Sequence, residues 1–261
     1  QCNPDEIYNL GAMSHVKVSF DKPEYVGNVD GIGTLRILEA VRLLGLEKKT
    51  KIYQASTSEL YGGMSENKNK NGFYDEKSPF YPRSPYGVAK IYAFWITKNY
   101  REAYNMFAST GILFNHEGPS RGETFVSRKI TMGIAKILAK QQKFIYLGNL
   151  DAYRDWGDAR DYVIAMWKIL QHKKPDDFVI ATNKSYSVRE FVKVAFSIVG
   201  IKIKWKGKGL KEVGYDPKTK KIYIKIDKKY FRPLEVDYLK GNYNKAKKIL
   251  KWKPQIKFQE M

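Results

Sequence analysis

Short apolar runs alternate with longer stretches of helical period through the first half of the chain. Residues 5–10 (DEIYNL) read as a short buried strand running into Gly11-Ala12. Residues 28–44 place Ile32, Leu35, Leu38, Val41 and Leu44 at helical spacing, with Gly45 as the stop. Residues 51–55 (KIYQA) predict a second strand leading into Ser56-Thr57-Ser58-Glu59, and residues 84–104 a long helix. A third strand is expected over 107–114 and a helix over 124–139. Strands alternating with helices predict a parallel sheet covered on both faces.

The texture changes near residue 142. Elements shorten, and lysine and glycine become denser. A strand is expected at 178–181, a helix at 187–199 and a strand at 201–206. Residues 206–221 have no apolar period and predict a mobile loop, as does the polar stretch 67–72 (NKNKNG). The expected division is a sheet domain over 1–141 and a smaller α/β cap over 142–261, with the chain crossing back to the first domain.

Composition narrows the class. The chain has 261 residues, and 43% are apolar, with 19 Tyr, 13 Phe and 5 Trp. That supports a sizeable core and excludes bulk disorder. Cys2 is the single cysteine, so an intrachain disulfide and a cysteine-built metal site are excluded, and no metal is expected. No apolar run approaches the roughly 20 residues that span a bilayer. The net charge of +20 allows a polyanionic partner. The lysines are nevertheless spread along the chain, without an arginine-aromatic module, so a lysine-rich solvated surface is the expected reading and nucleic acid is not an expected partner.

Candidate chemistry centres on Tyr86 and Lys90, which fall on one helical face at i and i+4. A free phenol, with a pKa near 10, is too weakly acidic to act as a base at neutral pH, and a nearby ammonium favours the phenolate. Such a pair suits removal of a hydroxyl proton while hydride leaves the carbon. Pro82-Arg83-Ser84-Pro85 supplies the helix start just before it. Thr57-Ser58-Glu59 sits at a strand end, where open α/β sheets place their ligands. On spacing alone, Thr57 and Glu59 suit a helix cap with an acidic first turn as well as they suit catalysis.

Longer stretches carry a resemblance. These are Asn9-Leu10-Gly11-Ala12-Met13-Ser14-His15-Val16, Ala55 through Gly62 (ASTSELYG) and Phe80-Tyr81-Pro82-Arg83-Ser84-Pro85-Tyr86. Further along come Leu113-Phe114-Asn115-His116-Glu117, Arg121 through Val126 (RGETFV), Arg154-Asp155-Trp156 and Tyr230-Phe231-Arg232-Pro233. In this order they resemble the GDP-mannose 4,6-dehydratases, a family of extended short-chain dehydrogenases. The resemblance implies a Rossmann-like doubly wound sheet with an α/β substrate-binding cap. It also implies conversion of GDP-mannose to GDP-4-keto-6-deoxy-mannose and water through an internal hydride cycle on NADP. That reaction is the first step towards GDP-fucose or related deoxysugars, in a cytoplasmic homodimer or homotetramer.

By the same resemblance the catalytic residues are Thr57, Glu59, Tyr86 and Lys90. Cofactor contacts fall to Leu10, Gly11, Ala12, Met13, Ser14, Tyr25, Lys90, His116 and Arg121. Substrate contacts fall to Asn115, Lys129, Arg154, Arg232 and Glu235. The sequence departs from the family pattern at Gly87, where alanine is usual, at Asp158, where histidine is usual, and in the longer 67–72 stretch. It also holds no G-x-x-G-x-x-G. Two βα units, on the order of 70 residues, are therefore expected ahead of residue 5, and the chain is read as lacking both ends. Alternative readings are a dehydratase of another GDP-sugar, such as a GDP-manno-heptose, and a non-catalytic sugar-nucleotide-binding fragment.

Overall fold

The computed structural model describes residues 2–261. The chain opens with β1 (Glu6–Asn9), α1 (Val16–Asp21) and α2 (Pro23–Val26). A π-helical turn (Gly27–Ile32) runs directly into α3 (Gly33–Leu43), so the helix expected over 28–44 is two kinds of helix joined end to end. Then come β2 (Lys51–Thr57), α4 (Pro85–Tyr104), β3 (Ala108–Leu113), β4 (Asn115–Glu117), α5 (Val126–Leu138), β5 (Ile145–Leu147) and β6 (Tyr153–Arg154). The remainder holds β7 (Trp156–Asp158), α6 (Ala159–Gln171), β8 (Asp177–Ile180), β9 (Tyr186–Ser187) and α7 (Val188–Ile198). It closes with β10 (Lys204–Lys206), β11 (Val213–Tyr215), β12 (Ile222–Ile226) and α8 (Asn244–Leu250).

The chain divides into two compact units whose segments interleave. The first holds the residues through His116, Asp155–Ser185 and Leu239–Met261; the second holds Glu117–Arg154 and Tyr186–Tyr238. This division differs from the boundary expected at 141/142. The second unit begins at Glu117, ahead of that boundary, while β8 pairs with β3 through Gly111↔Phe178 and Leu113↔Ile180 in the part of the chain expected to cross back.

In the first unit the sheet order is β1-β2-β3-β8, all parallel. Adjacent residues of a strand face opposite ways, and β2 uses both faces. Ile52 packs with Leu38, Val41 and Tyr100 under α3 and α4. Tyr53 packs with Tyr162, Met166 and Ile169 of α6 and with Phe178. Burying side chains of this size contributes about 1.5–3 kcal/mol each. The sheet is therefore covered on both faces, as the alternating pattern predicts. Below α6, the buried Asp155 carboxylate accepts Thr182 N–H at 2.8 Å, Thr182 Oγ1 at 2.7 Å and Gly241 N–H at 3.2 Å, tying three stretches of this unit together.

The second unit is built on the sheet β10-β11-β12-β5, antiparallel except for β12 against β5. The expected mobile loop over 206–221 is corrected here. It contains a 3-10 turn at Gly209–Lys211 and β11, while Asp216 accepts Lys218 N–H at 3.0 Å and Thr219 Oγ1 at 2.8 Å. A three-residue strand with glycine at its centre leaves no apolar period to read. Arg189 anchors the unit by pairing with Asp151 at 2.9 Å and Glu212 at 2.6 Å while lying over the Trp205 ring.

At the centre of β3, a Cβ on Gly111 would lie 2.2 Å from the Tyr53 hydroxyl. Gly111→Ala is therefore expected to force the ring out of its place at a cost of about 1–3 kcal/mol. Thermal unfolding followed by circular dichroism should show a melting temperature lower by roughly 2–12 °C.

Candidate active site

The expected catalytic residues all lie in the first unit, around the carboxyl end of β2. Thr57 ends that strand in extended backbone, and its hydroxyl accepts Glu59 N–H at 3.2 Å, starting the 3-10 turn Ser58–Tyr61. Thr57 and Glu59 are each only 8% exposed. The cap and the placement of Glu59 are thus the same local event: the turn that Thr57 starts is what directs Glu59.

The helix start was equally readable. Ser84 caps α4 by accepting Gly87 N–H at 3.0 Å, and Pro85 occupies the first turn, where its missing N–H is harmless. Tyr86 follows at 7% exposure and Lys90 at 2%. Gly87 has a packing reason beyond helix propensity: a Cβ there would lie 3.0 Å from Pro82 Cβ and 3.3 Å from the Glu59 carbonyl oxygen. Its absence lets the first turn of α4 approach the Glu59 turn.

Lys90 Nζ donates to the Ala55 carbonyl at 3.0 Å and lies 6.0 Å from the centre of the Tyr86 ring. Burial pushes its ammonium below the ordinary lysine value, and the negative charge of Asp30 partly reverses that. Tyr86 shares an apolar cluster with Val16, Val26 and Ala89, against which Met13 and Phe20 pack.

Residues 10–14, expected to contact a cofactor, form the turn after β1. Asn9 Nδ2 donates to Gln54 Oε1 at 2.7 Å, and Met13 N–H donates to Asp30 Oδ1 at 2.7 Å. Leu10 and Tyr25 are exposed, as are Gly11 and Ser14, while Ala12 and Met13 are half-buried. His116 stacks on Tyr162 with ring centres 4.7 Å apart, and its Nδ1 bonds the Phe114 carbonyl at 2.9 Å. Asn115 lies beside it on β4, half-buried. The first unit therefore collects the catalytic set, most of the cofactor set and one substrate residue.

The other expected residues belong to the second unit. Arg121 pairs with Glu117 at 3.1 Å and covers the Phe125 ring, and burial raises the Glu117 carboxyl above its ordinary value. Lys129 Nζ lies over the Tyr230 ring at 3.0 Å. Arg154 donates to the carbonyls of Tyr153 at 2.8 Å and Val236 at 2.6 Å and pairs with Glu235 at 3.6 Å. Arg232 is half-buried. Asp158, a departure from the family pattern, caps α6 by accepting Arg160 N–H at 2.8 Å.

Sequence reasoning missed Asp30. The signal existed, because Val26, Asp30, Thr34 and Leu38 repeat every four residues and all are buried, so an acid interrupts an apolar stripe.

The sequence profile described as GDP-mannose 4,6 dehydratase matches residues 1–261. The chain is 61% identical over 259 residues to the GDP-mannose 4,6 dehydratase of Dictyostelium discoideum, covering 99% of this chain and 71% of that protein. It is 56% identical over 261 residues to the human GDP-mannose 4,6 dehydratase, covering 100% of this chain and 69% of that protein. Among solved structures, RMD from Pseudomonas aeruginosa complexed with NADPH is similar at TM-score 0.82 and 20% identity, over 98% of this chain and 78% of that one. A dTDP-glucose 4,6-dehydratase from Bacillus anthracis in complex with NAD is similar at TM-score 0.75 and 23% identity, over 99% of this chain and 70% of that one. These structural likenesses carry the fold, a Rossmann-type doubly wound sheet. Among the described residues no helix is long and apolar enough to cross a membrane.

A buried ammonium held below its ordinary pKa destabilises the fold while it is charged. Between its lowered value and the ordinary lysine value of about 10.4, the unfolded chain binds more protons, so stability rises with pH in that window. Lys90→Met fills the same space without charge. It also leaves the Asp30 carboxylate without its opposite charge, so the sign of the gap at pH 7 is set by both groups, but the parent is expected to gain stability relative to Lys90→Met as the pH rises towards 10. A gap independent of pH would contradict this account of Lys90.

Proposed function

Because the chain belongs to the GDP-mannose 4,6-dehydratase family, we propose that it converts GDP-mannose to GDP-4-keto-6-deoxy-mannose and water, using NADP. The observation that carries this reading is the buried Tyr86–Lys90 pair on the first turns of α4, beside the turn that holds Glu59. The reaction is the first step towards GDP-fucose or a related deoxysugar, carried out by a cytoplasmic homodimer or homotetramer.

A dinucleotide fits the first unit at the carboxyl edge of its sheet. Gly11 leaves the turn after β1 uncovered, since a Cβ there would approach only Asn9 Oδ1, at 3.5 Å. Residues 10–14, Tyr25, Lys90, His116 and Arg121 are the groups proposed to hold it. When bound, NADP supplies the oxidant for C4 and, once reduced, the reductant for C6.

The side chains of the chain handle the protons. Tyr86 takes the C4 hydroxyl proton, and the Lys90 ammonium stabilises the phenolate that does so. Oxidation at C4 acidifies the hydrogen on C5. Glu59 removes that proton and returns it to the departing C6 hydroxyl, which leaves as water, and the proton that Tyr86 took from the C4 hydroxyl is returned to C5 when C6 is reduced. Thr57 donates a hydrogen bond to the C4 oxygen while it carries charge. Asn115, Lys129, Arg154, Arg232 and Glu235 are proposed to bind the nucleotide sugar, the arginines through paired bonds to phosphate oxygens.

Glu59→Gln is expected to slow water elimination about 10²–10⁴-fold while GDP-mannose binding, measured by calorimetry, stays within a few-fold. Near-normal turnover would remove Glu59 from its role. In the parent protein, deuterium at C4 of GDP-mannose is expected at C6 of the product. Tyr86→Phe should abolish this transfer and give no build-up of NADPH absorbance on mixing with substrate. Transfer at a comparable rate in Tyr86→Phe would reduce the tyrosine and lysine to neighbours on a helix.

A further inference from the structure

Asp30 takes no part in the chemistry above, yet it is 1% exposed and sits among the groups that do. It lies in the π-helical turn Gly27–Ile32, which packs against α4. π-helical turns recur at functional sites, because they re-aim one side chain at the expense of regular hydrogen bonding. The residues one turn to either side, Val26 and Thr34, are buried as well.

The hydrogen bonds of this carboxylate account for only half of it. Oδ1 accepts Met13 N–H at 2.7 Å. Oδ2 is buried and accepts no hydrogen bond from the described residues. A buried carboxylate oxygen without a donor is costly, and its retention points to a charge nearby. That charge is Lys90. Burial raises the Asp30 carboxyl and lowers the Lys90 ammonium, and each group opposes the shift of the other.

The groups that contact Lys90 directly are a neutral carbonyl and a neutral ring. Its hydrogen-bond acceptor from β2 is the neutral Ala55 carbonyl. From α4 itself comes the Tyr86 ring, and α1 and α2 present Val16 and Val26 to that ring. The 3-10 turn contributes Glu59, whose backbone carbonyl faces Gly87. Asp30, on the turn packed against α4 and with its Oδ2 lacking a donor, is the acid whose charge opposes the lowering of the Lys90 ammonium.

We propose that Asp30 is a positioning residue of this site, supplying the counter-charge to the Lys90 ammonium and tying the Met13 end of the turn after β1 to the same helical segment. The inference rests on the reading of Tyr86 and Lys90 given above. It adds a third member that touches neither substrate nor reacting atoms and acts through Lys90.

The test separates the pair from the reaction. With ¹³C-labelled lysine, the Lys90 resonance is assigned by its loss in Lys90→Met, then titrated in the parent, Asp30→Asn and Asp30→Glu. Asp30→Asn keeps an acceptor for Met13 N–H and removes only the charge. Its Lys90 midpoint is expected to fall by about 1–3 pH units, the effect of losing one close opposite charge, and Asp30→Glu should restore most of it. An unchanged midpoint in Asp30→Asn overturns the proposal. If the Asn side chain unfolds the protein, Asp30→Ser serves for the same comparison.

The second arm is the pH profile of kcat. In Asp30→Asn its alkaline limb, where Lys90 loses its proton, is expected to move to lower pH by the same amount. A residue with a purely structural role would scale the whole profile without moving that limb. A moved midpoint with an unmoved limb would confirm the pair and count against the Tyr86–Lys90 reaction instead.

Discussion

Holding a lysine ammonium inside an apolar unit is the constraint around which the first unit is arranged. Burial opposes the charge on Lys90, and the Asp30 carboxylate partly offsets it. The N-terminal end of α4, whose unpaired N–H groups carry a partial positive charge, favours a negative charge, and Tyr86 is the second residue of α4. The helix start is therefore favourable to a phenolate one turn before the ammonium. The parallel sheet supplies the rest: β2 brings the Ala55 carbonyl to Nζ and then delivers Thr57 and the Glu59 turn from its carboxyl end. Strand, turn and helix start are one construction.

Much of this was legible in the chain. The alternation of short apolar runs with helical periods foretold the parallel sheet. The Ser84-Pro85 start foretold where α4 begins, and the four-residue spacing foretold which face Tyr86 and Lys90 share. These features are local, set by residues within a turn of each other. What stayed hidden depends on pairing across long separations. β8 lies more than sixty residues beyond β3 yet pairs with it, and the second unit begins at Glu117, where no change in texture marks it. β11 has three residues, too few to show a period, and exists because β10 and β12 flank it. Asp30 was written in the sequence as an acid in an apolar stripe, but its meaning lies in a residue sixty positions away.

The lysine excess also finds a structural account. Several lysines lay their ammonium groups over aromatic rings: Lys225 over Phe144 at 3.8 Å, Lys240 over Phe73 at 4.0 Å and Lys98 over Trp95 at 5.2 Å. Such contacts let long cationic side chains cover apolar surface with their stems while the charge stays near water. A chain with many tyrosines and phenylalanines has many such surfaces to cover. These lysines serve packing sites in separate parts of the chain.

The interleaving of the two units governs how the molecule must be made. The chain passes from one unit to the other four times. Emerging from a ribosome, β1, β2 and β3 are available early, but β8 and α8 arrive only after the first long segment of the second unit. The first unit must then wait for its own outermost strand while a partner strand edge on β3 stays open, a condition that invites intermediates and mispairing. Closing loops of that length adds little to the free-energy cost, since the entropy grows only logarithmically, but it slows the search for native contacts. Neither unit can be cut out as one continuous piece, so independent folding of a single excised segment is not open to this architecture.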